Sequence, residues 1–329
     1  MDFTELTDLA WARLGGRVLA ANDEFFGSRH SLLKSGRAIL IPDKFTARGK
    51  WMDGWETRRR RTPGHDFCLV KLGLRGVIRG VDVDTQHFTG NYPERCSLEA
   101  CDLPRNPTLP ALARASWTEI LPRVPLKGDA RNLFPILDAR PFTHVRLNIY
   151  PDGGVARLRV HGAVEVNWSR ARGKLLDLAA LVNGGRALGA SDQHFGSKDN
   201  LILPGRAPNM GEGWETRRRR GPGHDWVVVE LGASGVIEKV EVDTNHFKGN
   251  YPESCELEGV EGPGATLRDL DGPGFKWRVL LPRTTLRPHR RHFFVGALAI
   301  RGPFTHVRLS IFPDGGVSRL RIHGRARLA

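Results

Sequence analysis

The sequence has few cysteines and no long apolar run. Four cysteines in 329 residues, none of them in a Cys-x-x-Cys pair, give no reason to expect a disulfide framework or a structural zinc site. No apolar stretch reaches the ~18 residues that a membrane-spanning helix needs. Residues 1–6 lack the basic and then apolar order of a signal peptide. We therefore predict a cytoplasmic protein without a membrane partner.

Several common catalytic motifs are also missing from the sequence. It contains no Gly-x-x-x-x-Gly-Lys-Ser/Thr phosphate loop, no Gly-x-Ser-x-Gly elbow and no His-Glu-x-x-His pair. The 12 histidines are dispersed along the chain. No metal site and no cofactor are predicted, and a divalent metal ion stays an open alternative.

The charge of the chain is unbalanced. Lys and Arg number 50 against 36 Asp and Glu, which gives a formal net charge of +14. A positive field of this size favours small anionic ligands. The basic residues are not interleaved with aromatic stacking platforms, so nucleic acid is not the predicted partner.

The most informative feature that is present is a polar block that occurs twice. Residues 53–66 and 212–225 share Gly-Trp-Glu-Thr, four arginines and Pro-Gly-His-Asp. Further matching segments extend this repeat over nearly the whole chain, and a period of about 160 residues indicates duplicated domains. We predict two modules, 1–165 and 174–329, joined by a linker at 166–173. Because polar residues are kept, the shared constraint is typical of a site or a polar framework.

Each module is predicted to open with a short helix and to continue as strands. Apolar residues from Leu6 to Leu14 recur at helical spacing before Gly15, and the pattern returns between Leu175 and Gly184. Strands are predicted in the first module at 67–72, 77–83, 97–100, 117–121, 144–150 and 155–161. The last two flank a Pro-Asp-Gly-Gly turn and are predicted to form a hairpin. Short strands between Gly/Pro turns indicate an all-β fold, an antiparallel sandwich or jelly roll.

The arginine block offers candidates for binding an acidic substrate. On a strand, Arg58 and Arg60 share a face, as do Arg217 and Arg219. A guanidinium binds a carboxylate bidentately, so these four residues are predicted to bind substrate. The alternative is internal pairing, and both interpretations stay open for different arginines. The carboxylates for internal pairing are Glu56, Asp66 and Asp84.

Acid–base candidates follow the strand predicted at 77–83. Asp84 and His87 stand in Asp-Thr-x-His-Phe, and Asp243 and His246 repeat them. Histidine titrates near neutrality, and a carboxylate orients it or accepts ligand N–H groups. We predict that these four residues are catalytic. The alternative is a turn-forming aspartate beside a histidine with satisfied hydrogen bonds.

Two further pairs complete the predicted site. The amide of Asn91, or of Asn250, matches a urea-like group, and Glu56 and Glu215 supply acceptors for N–H groups. These four residues are predicted to bind substrate, and a turn-forming asparagine is the alternative. The later repeated histidines are assigned mainly structural roles; they are His144, His161, His306 and His323.

The motifs at 53–61, 83–93 and 145–155 together resemble those of the allantoicase (allantoate amidinohydrolase) family. The resemblance extends from about residue 16 to the end. It implies two tandem jelly-roll β-sandwich modules like galactose-binding domains, and a homo-oligomer. It also implies hydrolysis of allantoate to ureidoglycolate and urea in purine breakdown, by a hydrolase acting on C–N bonds of linear amidines.

The residue chemistry agrees with that substrate, and the roles depend on this chemistry alone. Allantoate carries one carboxylate and two ureido groups on a single carbon. The arginines would anchor the carboxylate, the Glu and Asp residues would hold ureido groups, and His87 and His246 would transfer protons. Either module, or a site between them, stays open as the place of reaction.

The rival interpretation is a non-catalytic module that binds sugars or other small anions, since fold does not fix function. In that case Trp55 and Trp214 would supply aromatic faces for stacking. A nucleic-acid interpretation would use the two four-arginine runs on phosphates.

Overall fold

The computed structural model describes residues 2–104 and 107–327. The chain divides into two compact units, residues 1–165 and 166–329. A short helix, Trp168–Ala171, lies in the segment predicted as the linker.

Strands dominate both units, as predicted. Those of the first unit are β1 (Thr7–Asp8), β2 (Arg17–Ala21), β3 (Phe45–Thr46), β4 (Gly49–Lys50), β5 (Trp55–Glu56), β6 (Asp66–Asp84), β7 (Arg95–Cys101), β8 (Thr118–Pro125), β9 (Arg131–Pro135), β10 (Pro141–Tyr150), β11 (Gly154–Val155) and β12 (Arg157–Val164). Those of the second unit are β13 (Leu176–Asp177), β14 (Arg186–Ala190), β15 (Trp214–Glu215), β16 (Asp225–Asp243), β17 (Ser254–Val260), β18 (Arg278–Thr285), β19 (Arg291–Phe294), β20 (Phe304–Phe312), β21 (Gly316–Val317) and β22 (Arg319–Ala326).

Helices are few and short. The α-helices are α1 (Leu109–Ala113), α2 (Trp168–Ala171) and α3 (Leu267–Leu270). Single 3-10 turns lie at Phe3–Glu5, Ala12–Leu14, Arg29–Leu33, Leu181–Asn183, Lys198–Ile202 and Met210–Glu212.

The long strand β6 belongs to both layers of the first unit. Its residues 66–71 pair with β2 and β10, whereas residues 80–84 pair with β9 and β12. β7 and β8 extend one layer beyond β10, and β1 extends the other beyond β12. In the second unit β16 is shared in the same way among β14, β20, β19 and β22. The predicted fold, two tandem jelly-roll β-sandwich modules, is confirmed.

The core of the first unit lies between the two layers. Val70 and Leu147 from one layer and Val81 and Leu158 from the other are fully buried in a single cluster. Burial of such side chains stabilises the fold by about 1.5–3 kcal/mol each, as an upper estimate. Along each strand these inward side chains alternate with side chains of the outer face.

The predicted hairpin between residues 144–150 and 155–161 is wrong. β10 pairs with β6 and β7, whereas β12 pairs with β6 and β1. The turn that follows Tyr150 carries the chain from one layer to the other, and β11 pairs with β5. The two strands are therefore neighbours in sequence but lie in different layers.

The predicted opening helix is present only as a 3-10 turn, Ala12–Leu14, which Gly15 ends in the left-handed region at φ 96°. The preceding residues are extended because Asp8 Oδ1 accepts hydrogen bonds from the N–H groups of Ala10 (3.1 Å) and Val160 (3.0 Å). This carboxylate fixes β1 against β12 and competes with helix formation.

Candidate functional site

The structure brings the predicted Glu and Asn residues together in both units. The amide of Asn91 donates to Glu56 Oε1 at 2.7 Å, and Asn250 donates to Glu215 Oε1 at 2.5 Å. Each glutamate follows a buried tryptophan on a short strand; β5 pairs with β11, and β15 pairs with β21. Burial raises the pKa of Glu56, and the hydrogen bond from Asn91 opposes this shift.

In the second unit the Glu–Asn pair opens onto a cavity of about 450 Å³. Arg218 and Tyr251 line it together with Glu215 and Asn250. Within the part of the chain that the structure describes, the Arg218 side chain makes no ion pair. The sequence analysis did not select Arg218, because alternation on a strand placed it opposite Arg217 and Arg219.

The selected arginines are paired internally. The guanidinium of Arg58 lies 2.9 Å from Asp23, and that of Arg60 lies 2.6 Å from Asp66. In the second unit the backbone N–H of Arg217 donates to Asp192 and its guanidinium meets the His194 ring, and Arg219 pairs with Asp225. The interpretation that these arginines hold loops together is thus realised. Whether any of them also binds substrate stays a prediction.

The predicted catalytic histidines are held by backbone carbonyls. Nε2 of His87 lies 3.2 Å from the Ala38 oxygen, and Nε2 of His246 lies 2.9 Å from the Ala207 oxygen. Both residues have positive φ, 71° and 73°, which is uncommon for a residue with a side chain. Among residues 2–104 and 107–327, no hydrogen bond joins His87 to Asp84. The pairing of these two candidates is therefore absent, and their catalytic role stays a prediction.

Asp84 lies instead in a polar cleft of about 350 Å³ on the outer face of the β9–β6–β12 layer. In the register of β6 and β12, Arg157 lies opposite Asp84 and Arg159 lies opposite Asp82. These side chains share one face because they stand two residues apart on each strand. Asp8, Arg131 and His161 complete the polar wall. We call this set the β6–β12 cleft.

Hydrogen bonding in the β6–β12 cleft is incomplete. Arg131 directs Nε and Nη2 to the same oxygen of Asp82, Oδ2, at 2.7 and 2.6 Å. Asp82 is 2% exposed, and its other oxygen is buried without a hydrogen-bond partner among the described residues. Arg159 donates through Nη2 to the carbonyls of Lys34 and Gly36, while its buried Nη1 has no such partner in those residues. Buried polar groups normally find partners, so these unsatisfied atoms mark a candidate ligand site.

Two acids of the cleft, Asp84 and Asp8, have a raised pKa. Burial raises the pKa of Asp84, and the negative charge of Asp82 adds to this effect, while Arg131 and Arg157 oppose it. Burial likewise raises the pKa of Asp8. Perturbed carboxyl groups beside guanidinium groups in a cleft are typical of functional sites.

His161 adds an imidazole to the cleft. Its Nδ1 lies 3.0 Å from the carbonyl oxygen of Leu6, which can only accept, so Nδ1 carries a proton. In the neutral ring Nε2 holds the lone pair, and this atom is buried without a hydrogen-bond partner in the described part of the chain. The cleft thus combines N–H donors for an anion, acceptors for N–H groups and a proton acceptor.

The same set recurs in the second unit. Its members are Asp177, Glu241, Asp243, Arg291, Arg319, Arg321 and His323. Of the cleft residues, only Asp84 and Asp243 were predicted from the sequence. The repeated His161 was assigned a mainly structural role, and Asp8 and Arg131 were not predicted because they lie outside the long shared motifs. Repetition of polar residues at matching offsets was the signal that could have found them.

The two tryptophans named for sugar stacking have no accessible ring face. Trp55 and Trp214 are both 0% exposed, and their indole N–H groups donate to the carbonyls of Asp23 and Asp192 at 2.8 Å. The expectation that these tryptophans would stack on sugars is therefore wrong.

Among the described residues, no group of three or more His, Cys, Asp or Glu side chains is arranged to hold a metal ion. In the same part of the chain, no helix has the length and apolar character required to cross a bilayer.

Comparison with known proteins gives matches over the full length of the chain. The sequence profile of the allantoicase repeat matches residues 7–165 and again residues 176–327. A protein of Pseudomonas aeruginosa (strain LESB58) named probable allantoicase is 52% identical, and the match covers 99% of this chain and 98% of that protein. A probable allantoicase 1 of Burkholderia mallei (strain ATCC 23344) is 50% identical over 96% of this chain and 94% of its own.

Solved structures agree with the sequence matches. The crystal structure of allantoicase from Saccharomyces cerevisiae is 37% identical with a TM-score of 0.80, covering 97% of this chain and 92% of that one. A second allantoicase structure is 36% identical with a TM-score of 0.82, covering 98% and 93%. The family predicted from the repeated motifs is confirmed in sequence and in fold, and the chain belongs to the allantoicase family.

Proposed function

We propose that the chain hydrolyses allantoate to ureidoglycolate and urea, as a hydrolase acting on C–N bonds of linear amidines. The observation that carries this proposal is the 52% identity to a probable allantoicase over 99% of the chain, through both repeats. Fold alone would not suffice, because β-sandwiches serve many functions.

The chemistry of the β6–β12 cleft suits this substrate. Allantoate presents a carboxylate, which a guanidinium binds with charge assistance, and ureido N–H groups, which carboxylate oxygens accept. The cleft offers Nη1 of Arg159, which has no hydrogen-bond partner among the described residues, for the first and Asp82 and Asp84 for the second. We place the substrate in this cleft of the first unit.

The other residues predicted from the sequence define the competing placement. Glu56, Asn91, Glu215 and Asn250 form pairs that can hold a ureido group, and the second pair lines the cavity with Arg218. Three further assignments remain proposals from residue chemistry. They are substrate binding by these pairs, substrate anchoring by the internally paired arginines, and catalysis by His87, His246 and Asp243.

A turnover assay tests the function. Purified chain incubated with allantoate is expected to release one urea and one ureidoglycolate for each allantoate consumed. Intact allantoate after prolonged incubation, with a folded protein by circular dichroism, would remove the proposal and leave a binding protein.

A pair of variants tests the placement. Asp84→Asn is expected to lower kcat/KM by at least about 100-fold, because a preorganised carboxylate is lost from the site. Glu56→Gln is the comparison, since it keeps a hydrogen-bonding side chain beside Asn91. A large loss in Glu56→Gln with a small loss in Asp84→Asn would move the site to the Glu–Asn pair.

Homo-oligomeric assembly, a cytoplasmic location and the module bounds 1–165 and 174–329 are proposed alongside. The family resemblance supports the assembly and the location, and the internal repeat supports the module bounds. Light scattering with size-exclusion chromatography measures the assembly directly.

A further inference from the structure

The clefts of the two units differ at one carboxylate. In the second unit Arg291 donates Nε to Oε1 of Glu241 at 2.6 Å and Nη2 to Oε2 at 3.0 Å, so both oxygens are occupied. In the first unit Arg131 contacts only Oδ2 of Asp82, and Oδ1 has no partner in the described residues. The aspartate is one methylene shorter, so its carboxylate meets the guanidinium through a single oxygen.

The clefts also differ at the histidine. His161 is buried, its Nδ1 is held by the Leu6 carbonyl at 3.0 Å, and the Phe3 ring lies 6.1 Å from its own ring. His323 is only half-buried, and across 2–104 and 107–327 no hydrogen bond reaches either of its ring nitrogens. A carbonyl partner fixes the tautomer of a histidine and directs the lone pair of the other nitrogen. Among the described residues, this hydrogen bond between a backbone carbonyl and the cleft histidine is present in the first unit alone.

The anion-binding donor does not distinguish the clefts. Nη1 of Arg159 and Nη1 of Arg321 are both buried without a hydrogen-bond partner within the described ranges. Each lies beside an aspartate of the first strand of its unit, at 3.7 Å from Asp8 and 3.4 Å from Asp177. The difference between the units therefore concerns proton transfer and N–H recognition.

We propose that His161 is the proton-transfer residue and Asp82 the ureido acceptor of a turnover site in the first unit, and that the cleft of the second unit is a structural copy closed by the Glu241–Arg291 pair. This assignment rests on the proposed hydrolysis of allantoate.

The step is balanced with water as the only co-reactant. Nε2 of His161 takes a proton from water as the water oxygen bonds to the carbon that bears both ureido groups. The bond from that carbon to one ureido nitrogen breaks, and the proton passes from Nε2 to this nitrogen. Neutral urea leaves, the hydroxyl stays on ureidoglycolate, and the imidazole returns to its starting form.

Matched glutamine variants test the proton-transfer role. In His161→Gln a neutral amide that cannot carry a proton replaces the imidazole, so kcat is expected to fall at least about 100-fold with KM within about 3-fold. His323→Gln makes the same change in the other unit, and kcat and KM are expected to stay within about 2-fold of wild type. Thermal unfolding of both variants confirms that they are folded.

Reciprocal carboxylate variants test the acceptor role. Asp82→Glu lets both oxygens reach Arg131, as in the second unit, and KM is expected to rise about 10-fold because a hydrogen bond from the substrate to a charged acceptor is lost. Glu241→Asp opens the pair in the second unit, and no change in kcat or KM is expected.

The outcomes separate the two proposals. Wild-type protein that releases no urea from allantoate overturns the proposed function and this assignment with it. If wild-type protein hydrolyses allantoate but turnover falls equally in His161→Gln and His323→Gln, or falls in neither, the assignment alone is overturned. Turnover lost only in the first-unit variants supports it.

Discussion

Asp82 and Glu241 occupy equivalent positions in the two units, and each is buried beside an arginine of a neighbouring strand. In a comparison of sequences this change is conservative. In the structure it decides whether one carboxylate oxygen or both accept hydrogen bonds from the neighbouring arginine. A single methylene therefore separates an unsatisfied acceptor from a closed ion pair, and the hydrogen-bond contacts of the two carboxylates show the difference.

Acid sensitivity is predicted at the residue scale from His144. The ring is 1% exposed, and burial, followed by the charge of Lys71, lowers its pKa to about 4. The folded state thus favours the neutral ring, while the unfolded state binds a proton below about pH 6.5. The free energy of unfolding is expected to fall as the pH drops from about 6.5 toward 4.

Chemical unfolding of wild type and His144→Gln at several pH values measures this effect. The variant is expected to lose less stability than wild type over that window. His30→Gln, at an exposed position, is the control and should follow the wild-type curve. Parallel curves for wild type and His144→Gln would contradict the assignment.

The internal role of the arginine block gives a second prediction. Asp66 is buried and pairs with Arg60, whereas Arg58, with a side chain 64% exposed, pairs with Asp23 near the surface. Arg60→Ala is expected to destabilise the fold by about 2–4 kcal/mol because a buried charge loses its partner. Arg58→Ala should cost less than about 1 kcal/mol. Denaturant titration of both variants measures the free energy of unfolding. Equal losses of stability in the two variants would argue against a role of Arg60 in holding the fold together.

At the scale of elements, the sequence predicted where strands lie better than which strands pair. Alternation identified β10 and β12, and apolar runs identified both halves of β6. It did not show that these halves form one strand of 19 residues shared between the layers. The hairpin prediction failed because adjacency in sequence was taken for adjacency in the sheet. The short strand β9, which carries Arg131, was missed because its residues, 131–135, lack a clear apolar alternation.

The turn between β10 and β11 gives an element-scale prediction. Gly153 has φ 137°, and a Cβ there would lie 2.7 Å from the backbone nitrogen of Pro93. Gly153→Ala is therefore expected to destabilise the fold by at least about 2 kcal/mol. Gly90→Ala is the control, because a Cβ at Gly90 meets no atom within 4 Å. A melting temperature of Gly153→Ala equal to that of the control would contradict this account of the turn.

At the scale of the whole molecule, duplication made the organisation readable from one sequence. Two copies of a polar block gave the modules and the family. The cleft itself was out of reach, because Asp82 and His161 come together only through the antiparallel register of β6 and β12. Asp84 was selected from its motif, but its predicted partner His87 lies against the Ala38 carbonyl instead.

The net charge of +14 gives a prediction for the whole chain. A positive protein attracts an anionic substrate, and salt screens that attraction. KM for allantoate is expected to rise several-fold between about 20 mM and about 500 mM NaCl, with kcat nearly constant. Steady-state assays across this range test it, and a KM independent of salt would exclude a contribution of the overall field.

The central claim is that allantoate binds and reacts in the β6–β12 cleft of the first unit. The most direct measurement is a crystal structure of His161→Gln with allantoate bound. The ligand is expected between β6, β9 and β12, with a ureido N–H at Oδ1 of Asp82 and the carboxylate at Arg159. Allantoate bound at the Glu215–Asn250 cavity, with the β6–β12 cleft empty, would contradict the claim.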